Sequence, residues 1–256
     1  MPVDCFSGEA RCRIPIIISG ARMSRRQQAP AAQLSLFGSE KGSLLTAGTD
    51  EAGRGCFAGP VVAAAVIFPD GFDLVGLGDS KTLSPAEREC LEGEIRELAI
   101  GWGIGFSWME EIRRINILQA SLLAMARAIA AMRRRMGEKG NVPGRVLIDG
   151  TQVIPLPCYR RYGIPLPEQQ AIVDGDALVP CISAASILAK TARDRLMVSM
   201  DERWPQYGFA RHKGYGTKEH REALRKYGPC PLHRLDFRGV LPEGGKKEGA
   251  GQGWLI

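Results

Sequence analysis

The chain has 256 residues, of which 45% are hydrophobic and 24% are charged, and its formal net charge is +6. This composition is typical of a globular protein with a substantial core, and it excludes collagen-like and largely unstructured chains. Seven scattered cysteines without a C-x-x-C pair, and three histidines, disfavour a disulfide framework and a thiolate zinc site. The apolar runs are too short to cross a bilayer, so we expect a cytoplasmic protein with no membrane partner. The basic charge permits a polyanionic partner.

Residues 1–43 are rich in Ala, Ser, Gln, Arg and Gly without a sustained apolar period, which predicts a flexible extension. Strands and helices alternate between residues 44 and 240. Ser84 with Glu87, and Ser107 with Glu110, have the spacing of capping boxes before two helices. The predicted elements are strands at 44–50 and 60–68, a helix from 85 to about 100, a strand at 101–106, a helix through 116–136, strands at 145–149 and 171–173, and helices at 182–200 and 217–227. This order predicts an α/β domain with a mixed sheet, followed by a flexible tail at 241–256.

Four carboxylates are placed where predicted strands end or a helix begins. Asp50 and Glu51 lie where the first strand runs into a glycine-rich turn, Asp149 ends a later strand, and Asp176 precedes the helix at 182–200. Carboxylates at strand ends converge at one edge of an open α/β sheet. Carboxylates without histidine or cysteine partners suit Mg²⁺ or Mn²⁺, and two such ions can activate water and stabilise the leaving oxygen in phosphodiester hydrolysis.

Each of these acids also has a plainer interpretation. An aspartate before a glycine is commonly only a turn residue, and that alternative stays open for each acid taken alone. Adjacent residues of a strand face opposite sides of the sheet. Asp50 and Glu51 therefore reach one metal site only if the strand is already turning there.

Two other stretches contain residue types that suit nucleic acid. Gly53-Arg54-Gly55 allows the backbone to approach a ligand closely, and arginine can bind a phosphate. A protein must contact the 2′-hydroxyl to distinguish RNA from DNA, and a bare backbone loop can do so. Residues 211–221 interleave cations with Tyr215, which suits a phosphate backbone and a sugar or base. A hairpin turn and a solvated basic surface are the respective alternatives.

Taken in order, these stretches resemble the ribonuclease HII family. The matching segments are AGTDEAGRGCFAGPVVAAAVI (47–67), the Asp79-Ser80-Lys81 turn, NILQASLLAM (116–125), VLIDG (146–150), ISAASILAKTARDRLM (182–197), HKGYGTKEH (212–220) and HRLDF (233–237). The resemblance covers about 44–240 and implies a type 2 ribonuclease H domain. The implied fold is ribonuclease H-like, with a central mixed sheet flanked by helices and a helical C-terminal extension.

The resemblance also implies an activity and the residues that carry it. The activity is endonucleolytic hydrolysis of the RNA strand of RNA/DNA hybrids, and cleavage 5′ to single ribonucleotides in duplex DNA, with 5′-phosphate and 3′-hydroxyl ends. The residues implied to be catalytic and to bind Mn²⁺ or Mg²⁺ are Asp50, Glu51, Asp149 and Asp176. The residues implied to bind substrate are Gly53, Arg54 and Gly55 at the ribose 2′-hydroxyl, Lys81 near the phosphate backbone, and Tyr215 against a sugar.

The chain departs from the family pattern around Asp176. Asp174-Gly175-Asp176 stands where the family commonly has Lys-Gly-Asp, and residues 151–170 look like an insertion. Asp194 is expected to have a structural role, either in a salt bridge or in helix packing. Cys56 and Cys181 are expected to pack rather than to react.

Two other functions remain open alongside this one. A related ribonuclease H-like DNA nuclease or recombinase would share the acids without selecting ribose, but such an enzyme has no use for the Gly-Arg-Gly loop and Tyr215. A catalytically silent protein that binds nucleic acid or associates with the clamp would have no physical need to keep four like charges together. No feature of the sequence requires a dimer, so we expect a monomer.

The N-terminal extension contains Gln33-Leu34-Ser35-Leu36-Phe37, which looks like the pentapeptide with which bacterial replication and repair proteins dock on the DNA sliding clamp. Leu36 and Phe37 would enter an apolar pocket while Gln33 fixes the register, as short motifs in flexible segments do. The alternative is a local hydrophobic cluster that packs against the domain.

Replacing Leu36 and Phe37 by Ala should abolish capture of the chain by purified sliding clamp, because both apolar anchors are removed. A pull-down with the Ser39→Ala variant as a control outside the motif measures this. Unchanged capture of the double variant would end the clamp hypothesis.

Overall fold

The structure is a computed structural model, and it describes residues 44–72, 83–137 and 142–241. Within these residues five strands form one sheet: β1 (Thr46–Ala52), β2 (Val61–Ile67), β3 (Gly101–Ser107), β4 (Arg145–Asp149) and β5 (Glu168–Ile172). The helices of the same residues are α1 (Pro85–Leu98), α2 (Met109–Arg135), α3 (Leu156–Arg161), α4 (Gly175–Leu178), α5 (Pro180–Arg203), α6 (Phe209–His212) and α7 (Lys218–Tyr227). A 3-10 turn at Pro205–Tyr207 connects α5 to α6.

The sheet is mixed, with the strand order β3-β2-β1-β4-β5. β2 pairs antiparallel with both β1 and β3, whereas β4 pairs parallel with both β1 and β5. Thr49 of β1 lies beside Ile148 of β4 in the parallel register. The next residues along the two strands, Asp50 and Asp149, therefore lie side by side at the same end of the sheet. The predicted α/β fold with a mixed sheet is confirmed.

Helices cover both faces of the sheet, as the contacts of the interior strand β2 show. Its residues Ala63 and Ala65 pack toward α2, and Ala64 and Val66 pack toward α1 and α5, so that every residue of β2 is buried. α2 is long and apolar enough to cross a membrane by length and composition alone, but 67% of its most apolar window is buried inside the protein. Packing on the sheet therefore accounts for the apolar character of α2.

Glycines let the two long helices approach the sheet closely. A Cβ atom on Gly105 of β3 would lie 2.1 Å from the carbonyl oxygen of Ala124 in α2, and one on Gly103 would lie 2.3 Å from that of Ala128. On the other face, a Cβ atom on Gly48 would lie 2.3 Å from the carbonyl carbon of Cys181. The helix backbones thus rest directly on strand backbones, which sets the positions of the residues that follow them.

The predicted elements are found in the predicted order, with differences at their ends. The cap expected at Ser107 was wrong by one residue: Ser107 is buried at the end of β3, and the backbone N–H of Trp108 donates to Glu111 Oε2 at 3.2 Å. α2 kinks at Asn116, where φ is +65° and the side-chain oxygen accepts from the N–H of Gln119 at 3.1 Å. β5 begins at residue 168, before the predicted 171, because it pairs with β4 from Arg145 onward.

Several predictions fall on residues that the structure does not describe. Lys81 lies outside the described residues, as do the clamp-like peptide with Gln33, Leu34, Leu36 and Phe37, the whole of 1–43, and 242–256. These predictions stay predictions.

Replacing Gly105 by Ala should lower the free energy of unfolding by about 1–3 kcal/mol, because the added methyl group overlaps the α2 backbone. Gly93→Ala is the matched control: Gly93 is exposed on α1 with no atom within 4 Å of an added Cβ, so it should gain up to about 1 kcal/mol of helix propensity. Urea denaturation measures both changes. Equal effects of the two substitutions would contradict the close contact between β3 and α2.

Candidate active site

Asp50 and Glu51 are consecutive residues of β1, which stays a strand through Ala52 and so points the two side chains to opposite faces. Asp50 is 5% exposed and lies on the α5 side, where it forms a hydrogen bond with Ser186. Glu51 lies on the α2 side, in a small cavity that Asp149 and Ser121 also line. β1 does not turn at Asp50 and Glu51, so the two side chains do not reach one metal site in the way that a turning strand would allow. A third acid lies near both side chains instead.

That third acid is Asp149, at the end of β4. Burial raises the pKa of Asp50 well above its ordinary value, and the charges of Glu51 and Asp149 raise it further. Burial and then Asp149 also raise the pKa of Glu51, against the opposing effect of Arg54. Because neighbouring like charges disfavour ionisation, these shifts show that the three carboxylates share one electrostatic environment.

Asp176 joins the same group through its backbone. It is the second residue of α4, is 5% exposed, and donates its N–H to Asp149 Oδ1 at 3.3 Å. The hydroxyl of Ser183 in α5 donates to the carbonyl oxygen of Asp176, which fixes α4 on the longer helix. Asp174, the additional acid of this chain, is exposed and adopts a left-handed conformation with φ of +54° before α4.

The apparent insertion at 151–170 does not displace Asp176. It forms α3 and packs Ile154, Tyr159 and Ile164 into the core on the α2 side. Gln169 holds the insertion to β5, because its side chain both accepts from the N–H of Ile154 at 2.9 Å and donates to the carbonyl oxygen of that residue at 3.1 Å. The inserted residues therefore thicken one layer of the domain and leave the sheet edge free for the acids.

The four acids provide a donor set made only of carboxylate oxygens, which fits hard divalent cations and does not fit soft ones. Among the described residues, no three acidic, histidine or cysteine side chains already stand together at metal-ligand spacing. Mg²⁺ is commonly held by one or two carboxylates together with substrate phosphates, so a site that is completed by nucleic acid matches this arrangement.

The glycine-rich loop begins directly after these acids. Gly53 has φ of +89°, and a Cβ atom there would lie 1.9 Å from Arg193 Nε, so only glycine fits. Gly55 has no atom within 4 Å of an added Cβ, which leaves open space beside its backbone. The side chain of Arg54 is 52% exposed, and its Nη1 lies 3.4 Å from Glu51 Oε1. The loop thus presents bare backbone and one guanidinium to the solvent beside the acids.

Two buried arginines that the sequence analysis missed support this loop. The guanidinium of Arg193 donates to the carbonyl oxygens of Pro60 at 3.1 Å and Ala58 at 3.0 Å. Arg234 donates to the carbonyl oxygens of Gly59 at 2.7 Å and Arg54 at 2.9 Å. An arginine inside the apolar, alanine-rich segment 182–197 is a signal that could have identified Arg193.

Tyr215 approaches the same loop from the connection between α6 and α7. The N–H of Phe57 donates to the carbonyl oxygen of Gly214 at 2.9 Å, which joins the two segments. The side chain of Tyr215 forms a hydrogen bond with the thiol of Cys56, and Lys190 Nζ lies 5.3 Å from the centre of its ring. Tyr215 remains 42% exposed, so part of the ring is available beside the loop.

The remaining sequence predictions concern packing. Asp194 pairs with Lys190 at 2.8 Å and with Arg88 of α1 at 3.6 Å, which confirms the structural salt bridge. Cys56 is fully buried, and burial raises the pKa of its thiol. Burial also raises the pKa of Cys181 to about 12, so neither thiol has the character of a nucleophile.

Comparison with known proteins agrees with this geometry. The sequence model of ribonuclease HII matches residues 47–240. The chain is 53% identical over 208 residues to ribonuclease HII of Nitratidesulfovibrio vulgaris, an alignment that covers 79% of this chain and 90% of that protein. This chain belongs to the ribonuclease HII family. It is therefore a ribonuclease H, an endonuclease that acts on RNA/DNA hybrids.

Solved structures of the ribonuclease HII family share the fold. The ribonuclease H2 of Pyrococcus horikoshii superposes with a TM-score of 0.60 at 24% identity, covering 76% of this chain and 94% of that chain. Ribonuclease HII of Archaeoglobus fulgidus, solved in complex with PCNA, gives 0.57 at 28% identity, covering 76% and 96%. These likenesses confirm the ribonuclease H-like fold.

Replacing Asp50 by Asn should stabilise the metal-free protein. The pKa of Asp50 is raised in the folded state, so ionisation of this carboxyl is less favourable there than in the unfolded chain, and above the unfolded-state pKa the residue destabilises the fold. Removing about 1 kcal/mol of this effect should raise the melting temperature by about 2–4 °C in EDTA. Thermal denaturation of Asp50→Asn, with the exposed Asp174→Asn as control, measures it; a lower melting temperature for Asp50→Asn would contradict the electrostatic account.

Proposed function

We propose that this ribonuclease H cleaves the RNA strand of RNA/DNA hybrids and also cuts 5′ to single ribonucleotides embedded in duplex DNA, leaving 5′-phosphate and 3′-hydroxyl ends. One observation carries the proposal: the four acids, the open glycine loop and Tyr215 adjoin one another at one edge of the sheet. Acids alone suit any phosphodiesterase. The adjoining bare backbone adds a means of recognising a ribose.

The acids Asp50, Glu51, Asp149 and Asp176 would hold Mn²⁺ or Mg²⁺. A pair of such ions supplies an activated water and stabilises the leaving oxygen in phosphodiester hydrolysis. Contacts within the protein position these carboxylates to bind a cation. The N–H of Asp176 orients the Asp149 carboxylate, and Ser186 donates to Asp50. The pKa values of Asp50 and Glu51 are raised first by burial and then by the neighbouring carboxylates, and a bound cation would relieve the second effect.

Selection of ribose would come from the loop Gly53-Arg54-Gly55 and from Tyr215. The space beside Gly55 admits a sugar edge to the backbone, and a side chain at Gly53 is excluded by Arg193. Arg54 is exposed enough to bind a phosphate on the same strand. The ring of Tyr215 would pack against the neighbouring sugar, and Lys81 would contact the phosphate backbone, as the family resemblance implies.

We also propose a cellular setting for the enzyme. The peptide that contains Gln33, Leu34, Leu36 and Phe37 would dock the enzyme on a sliding clamp; the ribonuclease HII of Archaeoglobus fulgidus was solved as a complex with PCNA, which supports a clamp partner. The described cysteines 56, 90, 158, 181 and 230 form no disulfide bond, which supports a reducing, cytoplasmic location.

Three labelled substrates test the proposal: a duplex with one ribonucleotide, an all-DNA duplex and an RNA/DNA hybrid, each with Mn²⁺, with Mg²⁺ and with EDTA. We expect cleavage of the first and third with metal, and an intact all-DNA duplex. Asp149→Asn should lose activity by about 1000-fold or more while keeping its fold. Cleavage of the all-DNA duplex would point to a DNA nuclease, and full activity of Asp149→Asn would refute the assignment of the acids.

Tyr215→Ala should lower kcat/KM on the single-ribonucleotide duplex by about 5- to 150-fold, the range expected for the loss of one aromatic stacking contact. Tyr215→Phe keeps the ring and is the matched control, which should retain most of the activity. An equal loss in both variants would assign the effect to the hydroxyl group and its contact with Cys56.

A further inference from the structure

The three histidines of the chain form one buried cluster that the proposed mechanism does not use. His212, His220 and His233 are 8%, 0% and 3% exposed. The rings of His212 and His220 stack with centroids 4.4 Å apart, and Nε2 of His220 lies 3.0 Å from Nε2 of His233. Two imidazole nitrogens at this distance form a hydrogen bond only if one carries a proton and the other does not.

The main chain decides which nitrogen carries the proton. Nδ1 of His220 lies 2.9 Å from the carbonyl oxygen of Tyr215, which can only accept, so Nδ1 is protonated and donates. Neutral His220 then has a bare Nε2, which accepts from Nε2–H of His233. This leaves Nδ1 of His233 bare, and it accepts the N–H of Cys230 at 2.9 Å. The carbonyl oxygen of Cys230 is farther from that nitrogen, at 3.2 Å.

Burial keeps these two rings neutral. The pKa of each ring is lowered to about 4, chiefly by burial and also by the neighbouring histidines, whereas the hydrogen bonds to the backbone of Tyr215 and Cys230 oppose this shift. The titratable groups that face the pair are His212 of α6, Tyr207 of the 3-10 turn and Cys230. A proton added to either ring would set two N–H groups against each other at the 3.0 Å contact or at the N–H of Cys230.

His212 extends the same pattern to the other side of Tyr215. Its Nε2 donates to the carbonyl oxygen of Tyr207 at 2.7 Å, and its bare Nδ1 accepts the N–H of Gly214 at 3.2 Å. The carbonyl oxygen of His212 accepts the N–H of Tyr215 at 2.9 Å. Both backbone groups of Tyr215 are therefore bonded to histidines.

The cluster also touches the glycine-rich loop. His233 pairs with Ala58 in an isolated antiparallel bridge, and the N–H of Arg234 donates to the carbonyl oxygen of Phe57 at 2.8 Å. The ring of Phe57 lies 5.9 Å from that of His220. One end of the hydrogen-bond chain is thus fixed beside the loop and the other end on the backbone of Tyr215.

We propose that His220 and His233 are positioning residues, which form a neutral hydrogen-bond chain in a single tautomeric state and fix Tyr215 against the loop that selects ribose. This inference rests on the proposed role of Tyr215 in substrate binding. The series of hydrogen bonds runs from the N–H of Cys230 through His233 and His220 to the carbonyl oxygen of Tyr215. Each ring nitrogen in the series either donates or accepts, and not both.

NMR of the full chain labelled with ¹⁵N in its histidines tests the tautomers directly, because three residues give only six ring nitrogens. At pH 7 we expect His220 to be protonated at Nδ1, and His212 and His233 to be protonated at Nε2. An imidazolium signal for either His220 or His233, or His220 protonated at Nε2, would overturn the proposal whatever the variants show.

Kinetics on the single-ribonucleotide duplex tests the positioning role. His220→Leu removes one of the two donors to the carbonyl oxygen of Tyr215, which also accepts the N–H of Thr217 at 2.8 Å. The substitution should lower kcat/KM by about 10-fold, mainly through KM, as expected for the loss of one buried hydrogen bond. His220→Asn keeps an N–H near the position of Nδ1 and should recover much of that loss. If the two variants behave alike while their melting temperatures match, the hydrogen bond to Tyr215 has no positioning role.

A double-mutant cycle separates this inference from the proposed function. If His220 acts through Tyr215, His220→Leu should add little to the loss already caused by Tyr215→Ala. Additive losses would overturn the positioning role and leave the role of Tyr215 intact. No loss in Tyr215→Ala itself would instead refute the proposed substrate contact.

Discussion

The arrangement of the site depends on one buried cation, Arg193, which has no solvent exposure. From the middle of α5 its guanidinium donates to the carbonyl oxygens of Ala58, Pro60 and Lys213, and so joins the sheet, the glycine-rich loop and the segment before Tyr215. A buried charge is stable only when its donors are satisfied. Because Arg193 fills the space above Gly53, it also explains why that position carries no side chain.

The charged groups of the site follow a fixed order from this buried cation to the edge of the sheet. The guanidinium groups of Arg193 and Arg234 lie under the loop, and the bare backbone of the loop lies above them, next to four carboxylates at the sheet edge. Positive charge under the loop favours an approaching phosphate chain, whereas the carboxylates oppose one until a cation is bound. The metal and the nucleic acid are therefore expected to assist each other's binding.

Much of this could be predicted from the sequence, because periodicity, caps and strand-end acids are local signals. The order of the elements along the chain and the place of Asp149 at the end of its strand followed from them, whereas the order of the strands in the sheet did not. What local signals could not show was contact between distant segments: Arg193 under the loop, the three histidines around Tyr215, and the packing of the inserted residues against α2. The shifted cap at Ser107 had a similar cause, since β3 uses that residue for its last pairing, with Val61.

The parallel pairing of β1 with β4 has a consequence for how the site forms while the protein is synthesised and folds. Asp50 and Asp149 stand about a hundred residues apart in the sequence and meet only when β4 docks beside β1, after α1, β3 and α2 have been made. Such non-local contacts form late, since loop closure must precede them. A chain that has been synthesised only as far as α2 thus lacks Asp149 and Asp176, so the set of acids is completed only when the second half of the sheet has been made and docked.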